Sequence, residues 1–285
     1  MKKKIIILGA SGLLGTSISK IFKKDGIFEI IELNHSDIEI NNSNEVEKII
    51  NKLKPDIIIN CIAKIGINIC EENPNETLNT NAVAIFHLSK LCKKQDILLI
   101  QTSTHAVFNG TKDENYLEND QTNPVNIYAY SKLLSEYFVK MNSDKYYILR
   151  LATMYGTRRN NSLGFVDKMI ERMKNNQELK VSNDRMDSPT YADNVAEQIS
   201  FILRQSLPFG TYHVSDEGRV SYYEFITYLA QLINFKGIIK PAKDTEFKSL
   251  APNPLKVGMS SNLLKNKTFW KDALQKYVNT EKIKC

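Results

Sequence analysis

The sequence of 285 residues lacks any long apolar run. A membrane-spanning helix needs about 18 or more consecutive apolar residues, so no integral membrane protein is predicted. The opening Lys2–Lys4 followed by Ile5–Leu8 resembles the start of a signal peptide. Gly9 ends that apolar stretch, and no small-residue cleavage site follows it. We therefore expect a cytoplasmic protein with no membrane contact.

Cysteine is scarce and unpatterned. The four cysteines, Cys61, Cys70, Cys92 and Cys285, show neither a C-x-x-C pair nor a metal-ligand spacing. We predict free thiols in a reducing compartment and no metal site.

The net charge of +6 is spread along the chain and forms no basic stripe with interleaved aromatics. Nucleic-acid binding is therefore not predicted.

Apolar runs and helical patterns alternate through the first half of the chain. Strands are predicted at Lys4–Leu8, Phe28–Leu33, Asp56–Asn60, Ile97–Thr102 and Tyr146–Leu151, and helices at Leu13–Lys24, Asn44–Leu53, Asn75–Lys94 and Ile127–Lys140. Strands separated by helices of about 10 or more residues indicate βαβ units. The sequence therefore predicts an α/β fold, a Rossmann-type doubly wound parallel sheet with a smaller C-terminal substrate-binding lobe.

The predicted division places the dinucleotide-binding core at residues 1–152 and most of the substrate-binding lobe at 153–285. Residues 190–215, which include a predicted helix and strand, are expected to return to the core. The segments 182–190 and 241–260 are polar or contain proline, and we predict irregular structure there.

A glycine triplet joins the first strand to the first helix. Gly9 permits the tight turn, Gly12 lets the backbone approach a pyrophosphate, and Gly15 lets the helix pack close to the strand. The helix N-terminus adds unpaired N–H donors and a partial positive charge. We predict that this turn, with Ser11 and Leu13, binds the pyrophosphate of a nicotinamide dinucleotide.

The end of the second strand bears on the choice of nicotinamide cofactor. An acidic residue there binds the ribose 2′-hydroxyl of NAD, whereas NADP requires a neutral or basic residue. The strand ends in Leu33-Asn34-His35-Ser36, and Glu32 lies before it. We take Asn34 as a cofactor contact and favour NADPH, with use of NADH left open.

Tyr128 and Lys132 form a Y-x-x-x-K pair, whereas Tyr130 has Leu134 at the corresponding position. On a helix, residues four apart share a face. We expect the Lys132 ammonium to lower the pKa of Tyr128 from its ordinary value of about 10. Tyr128 would then donate a proton to a carbonyl oxygen as hydride arrives, and Lys132 would bind a cofactor ribose.

The strand before this helix supplies the third candidate catalytic group. Hydroxyls follow one another from Thr102 to Thr104, and Thr104 is placed to bond the substrate oxygen and direct it toward Tyr128. His105 comes next and is a further candidate for substrate contact. We assign it no acid–base role.

These motifs resemble those of the extended short-chain dehydrogenase/reductases, and among them the dTDP-4-dehydrorhamnose reductase group. The likeness runs nearly from end to end. It is carried by Gly9–Gly15, by Ser103–Gly110 (similar to S-T-D-Y-V-F-D-G), by Tyr128 and Lys132, by Ile148–Arg150 and Tyr155–Gly156, by the S-P-T-Y sequence Ser188–Tyr191, by Gly210–Val214 and by Ser221–Phe225.

The resemblance implies reduction of a 4-keto-6-deoxy sugar linked to a nucleotide, most simply a dTDP-sugar, for surface polysaccharide synthesis. NADPH or NADH is the implied cofactor, and a homodimer is common in the family. Thr104 would tune the active-site proton, Tyr128 would donate it and Lys132 would hold the ribose. The remaining implied contacts are Glu39 and Ile40 for adenine, Ala63, Lys64 and Ile65 for the pyrophosphate and nicotinamide ribose, and Thr153, Ser188 and Tyr191 for the substrate.

The sequence departs from the family pattern at the sugar site. His105-Ala106 replaces Asp-Tyr, Thr153 replaces a tryptophan, Asp187 replaces a glycine and Lys64 replaces an aromatic residue. Loss of a large aromatic contact changes the shape of a pocket. The cofactor chemistry is unaffected by these changes, and the sugar identity is left open.

Two alternative functions remain at this point. One is a nucleotide-sugar epimerase or dehydratase with tightly bound NAD, although His105-Ala106 stands where dehydratases carry Asp-Glu after the catalytic threonine. The other is a non-catalytic regulatory subunit, like the β subunit of methionine adenosyltransferase. The presence of Tyr128, Lys132 and Thr104 disfavours that second alternative.

Overall fold

A computed structural model describes residues 2–160, 162–265 and 267–283. Cys285 lies outside the described residues, while Cys61, Cys70 and Cys92 are free thiols. Within the described part of the chain, every helix is too short or too polar to cross a bilayer.

Twelve strands are present in the described residues. They are β1 Lys4–Leu8, β2 Glu29–Leu33, β3 Ile57–Asn60, β4 Leu98–Thr104, β5 Tyr146–Leu151, β6 Met154–Tyr155, β7 Leu179–Ser182, β8 Met186–Asp187, β9 Thr190–Tyr191, β10 Gly210–Val214, β11 Val220–Ser221 and β12 Ile239–Ala242.

Ten α-helices of the described residues connect and cover these strands. They are α1 Leu13–Asp25, α2 Ser43–Leu53, α3 Ile67–Glu72, α4 Pro74–Leu78, α5 Ala84–Lys94, α6 Ile127–Asn142, α7 Phe165–Lys174, α8 Ala192–Arg204, α9 Tyr222–Leu232 and α10 Trp270–Thr280. Short 3₁₀ turns lie at His105–Val107 and Asp244–Glu246.

Six strands form one parallel sheet in the order β10-β5-β4-β3-β1-β2. The direction of strand addition reverses between β1 and β3, and open α/β sheets bind ligands outside the carboxyl ends of strands at such a point. The side chains of Ile5–Leu8 in β1 are fully buried, because helices cover both faces. The predicted Rossmann-type parallel sheet is confirmed.

The predicted long helix over 75–94 is interrupted. Pro74–Leu78 and Ala84–Lys94 are α-helical, but Asn79–Val83 between them is a π-helical turn. A π turn inserts one extra residue into the helix and re-aims the side chains around it. Here it turns Asn81 into the interior, where this side chain is 1% exposed.

The C-terminal part has its own apolar cluster, built from β7, β9, β11 and helices α7, α9 and α10. The segment 182–190, predicted to be irregular, contains the short strands β8 and β9, and β12 lies partly within 241–260. These strands of two to four residues are too short to show an alternating pattern. β10 pairs with β5 in the main sheet. The division at residue 152 stays a prediction.

A buried ion pair fixes helix α6 against the sheet. Arg150 on β5 donates to both carboxylate oxygens of Glu136, at 3.0 Å from Nε and 2.8 Å from Nη2. Ser103 Oγ on β4 donates to the same carboxylate at 2.6 Å. Glu136 and Arg150 are 1% and 4% exposed. The pair therefore joins α6, β4 and β5 in an interior that excludes water.

Glu136→Gln is expected to destabilise the protein by about 3 to 5 kcal/mol, because it leaves the Arg150 guanidinium buried without its counter-charge. Urea unfolding followed by circular dichroism measures this change. Glu47→Gln is the matched control, since Glu47 pairs with Lys94 on the surface at 2.9 Å. That control is expected to stay within about 0.5 kcal/mol of wild type. Equal losses in the two variants would contradict the assignment.

Candidate active site

A cavity of about 1020 Å³ opens at the carboxyl edge of the main sheet, between the sheet and the C-terminal part. Three parts of the core line it: the start of α1 at Gly12–Leu14, the end of β4 at Thr102–Thr104, and Tyr128 and Lys132 on α6. The cavity thus brings together the glycine turn and all three predicted catalytic residues.

The glycine turn leaves the N-terminus of α1 free for an anion. Gly9 has φ +76°, and a Cβ on Gly15 would lie 2.3 Å from the carbonyl oxygen of Gly9, so neither position accepts a side chain without strain. No side chain of the described residues caps the helix at Gly12, and its first turn contains no acidic residue. Exposed backbone N–H groups at a helix N-terminus suit a pyrophosphate.

Arg159, in the loop between β6 and α7, holds the glycine turn in position. Its guanidinium donates to Ala10 O at 2.6 Å and pairs with Glu32 at 2.7 Å, and its backbone N–H donates to Ser11 O at 3.1 Å. These bonds occupy carbonyl groups of the turn. Ser11 N donates to Asn34 and Gly12 N to Gly9 O, so the N–H groups left for a ligand are those at the start of α1. Sequence reasoning missed Arg159, because it lies far from the glycine triplet along the chain and belongs to no local pattern.

The surroundings of Tyr128 favour the protonated phenol. Burial raises its pKa to about 12, while the Thr104 side chain acts in the opposite direction. Lys132 is not among the groups that shift it, so the prediction that Lys132 lowers the pKa of Tyr128 is wrong for this state of the protein. The physical reason is desolvation: burial of the phenol ring disfavours the phenolate. Tyr128 therefore holds its proton at neutral pH.

Lys132 is buried without a partner among the described residues. Its side chain is 2% exposed, and its Nζ makes no hydrogen bond to the protein. Burial lowers the pKa of Lys132 to about 8, although Glu136 and Cys61 act to raise it. A buried ammonium needs hydrogen-bond acceptors. Ribose hydroxyls of a dinucleotide would supply them, so this orphaned group fits the predicted cofactor.

Asn81 connects helix α6 to the loop after β3. Its Nδ2 donates to Ser131 Oγ and to Lys64 O, both at 2.9 Å, and its Oδ1 accepts from Lys64 N at 2.8 Å. Ser131 Oγ in turn donates to Tyr128 O at 2.7 Å. Asn81 thereby sets the position of the Ala63–Ile65 backbone relative to the catalytic helix. The sequence pattern missed it, because a single asparagine within a helical period carries no signal.

The outer part of the cavity is rich in positive charge. Its basic lining residues, apart from Lys132, are Arg158, Arg172, Lys180, Arg185 and Lys248. Among the described residues that line the cavity, Asp244 is the acidic one. Arg158, Lys180 and Arg185 are paired with the carboxylates of Asp167, Glu246 and Asp244. Arg172 and Lys248 form no ion pair among the described residues, and such unpaired cations attract phosphate groups.

Residues 2–283 match the model of the family described as RmlD substrate binding domain. The chain belongs to this family. The match covers both the glycine turn and the C-terminal lobe, so the whole described chain has the family's architecture.

Relatives of this RmlD-family protein cover most or all of its length. The spore coat polysaccharide biosynthesis protein SpsK of Bacillus subtilis is 28% identical over 99% of both chains. The dTDP-4-dehydrorhamnose reductase of Aggregatibacter actinomycetemcomitans is 30% identical over 78% of this chain and 76% of its own. The dTDP-4-dehydrorhamnose reductase of Bacillus anthracis, solved in complex with NADP, is 29% identical with a TM-score of 0.93, over 98% of this chain and 100% of its own.

Most of the residues predicted for the site of this RmlD-family protein lie at the cavity. Gly12, Leu13, Ala63, Ile65, Thr104, His105, Tyr128, Lys132 and Thr153 line it. Gly9, Ser11 and Gly15 shape the turn behind it, and Asn34 Oδ1 accepts from Ser11 N at 2.8 Å. Asn34 thus supports the turn from the end of β2.

Two predicted substrate contacts do not reach the cavity. Ser188 is fully buried and bonds the backbone of Met259, with Met259 N donating to Ser188 Oγ at 3.1 Å. Tyr191 is 1% exposed, stacks on Tyr155 and bonds Asp193 at 3.0 Å. Their S-P-T-Y segment packs inside the C-terminal lobe, so we assign them a structural role.

Three predicted cofactor contacts also lie away from the cavity. Ile40 is 5% exposed in the apolar cluster between the sheet and helices α2 and α5, and the Glu39 carboxylate accepts from Asn41 N at 3.0 Å. The Lys64 side chain forms an ion pair with Glu76. Lys64 therefore takes part in the site through its backbone.

Among the described residues, no three His, Cys, Asp or Glu side chains are grouped to hold a metal ion.

The affinity of the protein for NADPH is expected to fall by about 10-fold as the pH rises from 7 to 9. Lys132 loses its proton near pH 8, and the neutral amine attracts an anionic ligand less strongly. Titration of tryptophan fluorescence at each pH measures the dissociation constant. In Lys132→Met the constant is expected to vary little over this range. An identical pH dependence in both proteins would contradict the role of Lys132.

Proposed function

We propose that this protein is an NAD(P)H-dependent reductase of a nucleotide-linked 4-keto-6-deoxy sugar, as its relatives named dTDP-4-dehydrorhamnose reductase suggest. One observation carries the proposal: Thr104, Tyr128 and Lys132 line the same cavity as the free N-terminus of α1. A phenol that keeps its proton, next to a binding site for a dinucleotide, can donate that proton to a carbonyl oxygen as hydride is added to the carbon.

The proposed reaction adds a hydride to the sugar carbonyl carbon and a proton to its oxygen. The nicotinamide, when bound, supplies the hydride. Tyr128 donates the proton, since its pKa of about 12 keeps the phenol protonated in neutral solution. Thr104 holds the carbonyl oxygen beside the phenol, and Lys132 binds ribose hydroxyls. The product is the corresponding secondary alcohol.

The cationic outer wall supports a substrate with a diphosphate. Arg172 and Lys248 line the part of the cavity formed by the C-terminal lobe and form no ion pair among the described residues, whereas Lys180 beside them is paired with Glu246 at 2.7 Å. Two separate anion-binding regions, the free helix N-terminus and this wall, match two phosphorylated ligands in one cavity. A dTDP-sugar beside a dinucleotide meets this description.

The cofactor assignment includes both NADPH and NADH, with NADPH favoured. Glu32 on β2 is engaged by Lys23 and Arg159. Burial acts to raise the pKa of Glu32, but these two cations and Ser19 lower it to about 2. Because its charge is neutralised by two partners, Glu32 offers little repulsion to a 2′-phosphate. The related NADP complex agrees with this choice.

The proposal places the reaction in the cytoplasm, where NADPH and nucleotide sugars are made, and within surface polysaccharide synthesis, to which the name of the Bacillus subtilis relative refers. A homodimer is included as the family's common state. The proposed reaction needs a single chain, because Thr104, Tyr128 and Lys132 line one cavity of one chain.

Tyr128→Phe is expected to reduce turnover by about 100-fold or more, because it removes the proton donor. The assay follows NADPH absorbance with a panel of nucleotide 4-keto-6-deoxy sugars, and NADPH binding is expected to persist in the variant. Tyr130→Phe is the matched control on the same helix, since Tyr130 is 53% exposed and does not line the cavity. It is expected to retain wild-type turnover.

Three outcomes of this assay would contradict the proposal. Near-normal turnover of Tyr128→Phe would remove Tyr128 from the reaction. Interconversion of sugars without consumption of NADPH would indicate an epimerase with tightly bound NAD. Failure of the wild-type protein on the whole panel, with stable capture of a partner protein, would indicate a regulatory subunit.

Arg172→Gln is expected to raise the KM for the nucleotide sugar by about 3- to 10-fold with little change in kcat, because the charge contributes equally to substrate and transition-state binding. Added salt is expected to shrink the difference, since it screens exposed charges. Lys174→Gln on the same helix is the control, because Lys174 does not line the cavity. A fall in kcat at unchanged KM would contradict this role.

A further inference from the structure

A segment of the C-terminal part runs along the cavity and contacts the start of the catalytic helix. We call this segment, residues 247–253, the strap. Its residue Lys248 lines the cavity. Its two large apolar residues, Phe247 and Leu250, are 40% and 61% exposed, so neither fixes the strap in an apolar core. A segment with few buried apolar contacts depends on its polar contacts for its position.

The first polar contact of the strap is made by the residue that caps helix α6. Asn126 is the N-cap of α6 and is 4% exposed. Its Oδ1 accepts from Ala129 N at 2.9 Å, and its Nδ2 donates to Pro252 O of the strap at 3.0 Å. An N-cap side chain binds an N–H group that the helix itself leaves without a partner. One buried amide therefore joins the strap to the first turn of α6.

The short helix α3 makes a second connection between the same two elements. Asn68 Oδ1 accepts from Leu250 N of the strap at 2.9 Å. Glu71, three residues further along α3, accepts from Ile127 N at the start of α6 at 2.8 Å. Residues three apart on a helix are neighbours on its surface, and a carboxylate is favourable at a helix N-terminus. Helix α3 thus contacts the strap and the first turn of α6 with neighbouring side chains.

Tyr128 lies in the turn that these contacts hold. It is the second residue of α6, between the two N–H groups that Glu71 and Asn126 bind. The ion pair of Glu136, two turns further on, fixes the direction of the helix, whereas the N-terminal contacts fix the position of its first turn. An error of about 1 Å in the position of a catalytic group can cost about 100-fold in rate.

Lys248 gives the strap a point of attachment for a ligand. It forms no ion pair among the described residues, and it faces the same cavity as Tyr128. Arg172, the other unpaired cation of the wall, lies on α7, which packs into the apolar cluster of the lobe. An anion bound by Arg172 therefore meets a fixed element. An anion bound by Lys248 holds in place a segment that has no apolar packing of its own.

We propose that the strap couples binding of the substrate diphosphate to the position of the proton donor. The diphosphate on Lys248 fixes the strap, and the strap fixes the first turn of α6 through Asn126 and Asn68. Tyr128 is then in place for proton transfer when the nucleotide end of the substrate is bound. Binding energy from a part of the substrate that does not react is used in this way to order the reacting groups. The inference rests on the proposed reductase function. Asn126 and Asn68 are positioning residues.

A cycle of enzyme and substrate changes tests the coupling. The wild-type protein and Asn126→Ser are assayed with NADPH on the dTDP-4-keto-6-deoxy sugar and on the methyl glycoside of the same sugar, which has no diphosphate. Serine is a good N-cap for Ala129 N, but its side chain is too short to bind Pro252 O. The substitution is expected to lower kcat/KM by about 10-fold on the dTDP-sugar and by less than about 2-fold on the methyl glycoside.

Asn42→Ser is the matched control, because Asn42 caps helix α2 in the same way. Its side chain accepts from Glu45 N at 3.2 Å and has no contact with the strap. This control is expected to leave kcat/KM unchanged on both substrates.

Lys248→Gln separates the strap from the rest of the cationic wall. It is expected to lower kcat on the dTDP-sugar by about 5-fold, because the diphosphate no longer holds the strap. Arg172→Gln is expected to change mainly KM, so the two cations differ in which kinetic parameter they affect.

Hydrogen exchange of the backbone measures the coupling without turnover. Addition of dTDP to the wild-type protein is expected to slow exchange by about 5-fold in the strap and in the first turn of α6. In Asn126→Ser the same addition is expected to slow exchange in the strap and to have less than about half of the wild-type effect on the first turn of α6.

Equal losses of Asn126→Ser on the two substrates would overturn the inference, because the variant would then act only by disturbing the helix. A raised KM with unchanged kcat in Lys248→Gln would overturn it too, as would protection by dTDP that is confined to the strap or absent. Failure of the wild-type protein to reduce either sugar would contradict the reductase proposal. The exchange measurement with dTDP would then decide the coupling by itself.

Discussion

The buried pairing of Glu136 with Arg150 is the constraint on which the site depends. A charge in a dry interior is tolerated only with a counter-charge and satisfied hydrogen bonds. The bidentate contact and the Ser103 hydroxyl meet both conditions and leave α6 one orientation against β4 and β5. Tyr128 lies two turns before Glu136 on α6, and Lys132 lies one turn before it. All three side chains are therefore on the same face of that helix. The direction of Tyr128 and Lys132 toward the cavity follows from that one pair.

The two ligand-binding halves of the cavity are built by different parts of the chain. The glycine turn and the end of β3 lie where strand order reverses, and the uncapped N-terminus of α1 begins there. The cationic wall belongs to α7, β7 and the loops that follow, which pack around a separate apolar cluster. Arg159 connects the two halves, because its guanidinium donates a hydrogen bond to Ala10 O in the glycine turn. Both halves must therefore fold before either ligand site is complete.

Electrostatics at the site are governed by burial more than by the charge of neighbours. The pKa of Tyr128 rises and that of Lys132 falls, because removal from water disfavours the charged form of each. The spacing rule for a Tyr-Lys pair identifies residues on one face of a helix, but it contains no information on how dry that face is. For this reason the sequence identified both residues but predicted the wrong direction for the pKa of Tyr128.

Local patterns in the sequence determined the strands of the main sheet, most helices, the glycine turn and the Tyr-Lys pair, because period and turn chemistry act over a few residues. Only the tertiary structure decided which side chains meet across the chain. It placed Asp187 against His105, Arg159 on the glycine turn and Asn81 between α6 and the loop after β3, and it buried Ser188 and Tyr191 inside the lobe. Contacts between residues far apart leave no local periodic trace, since they are set by the packing of whole elements.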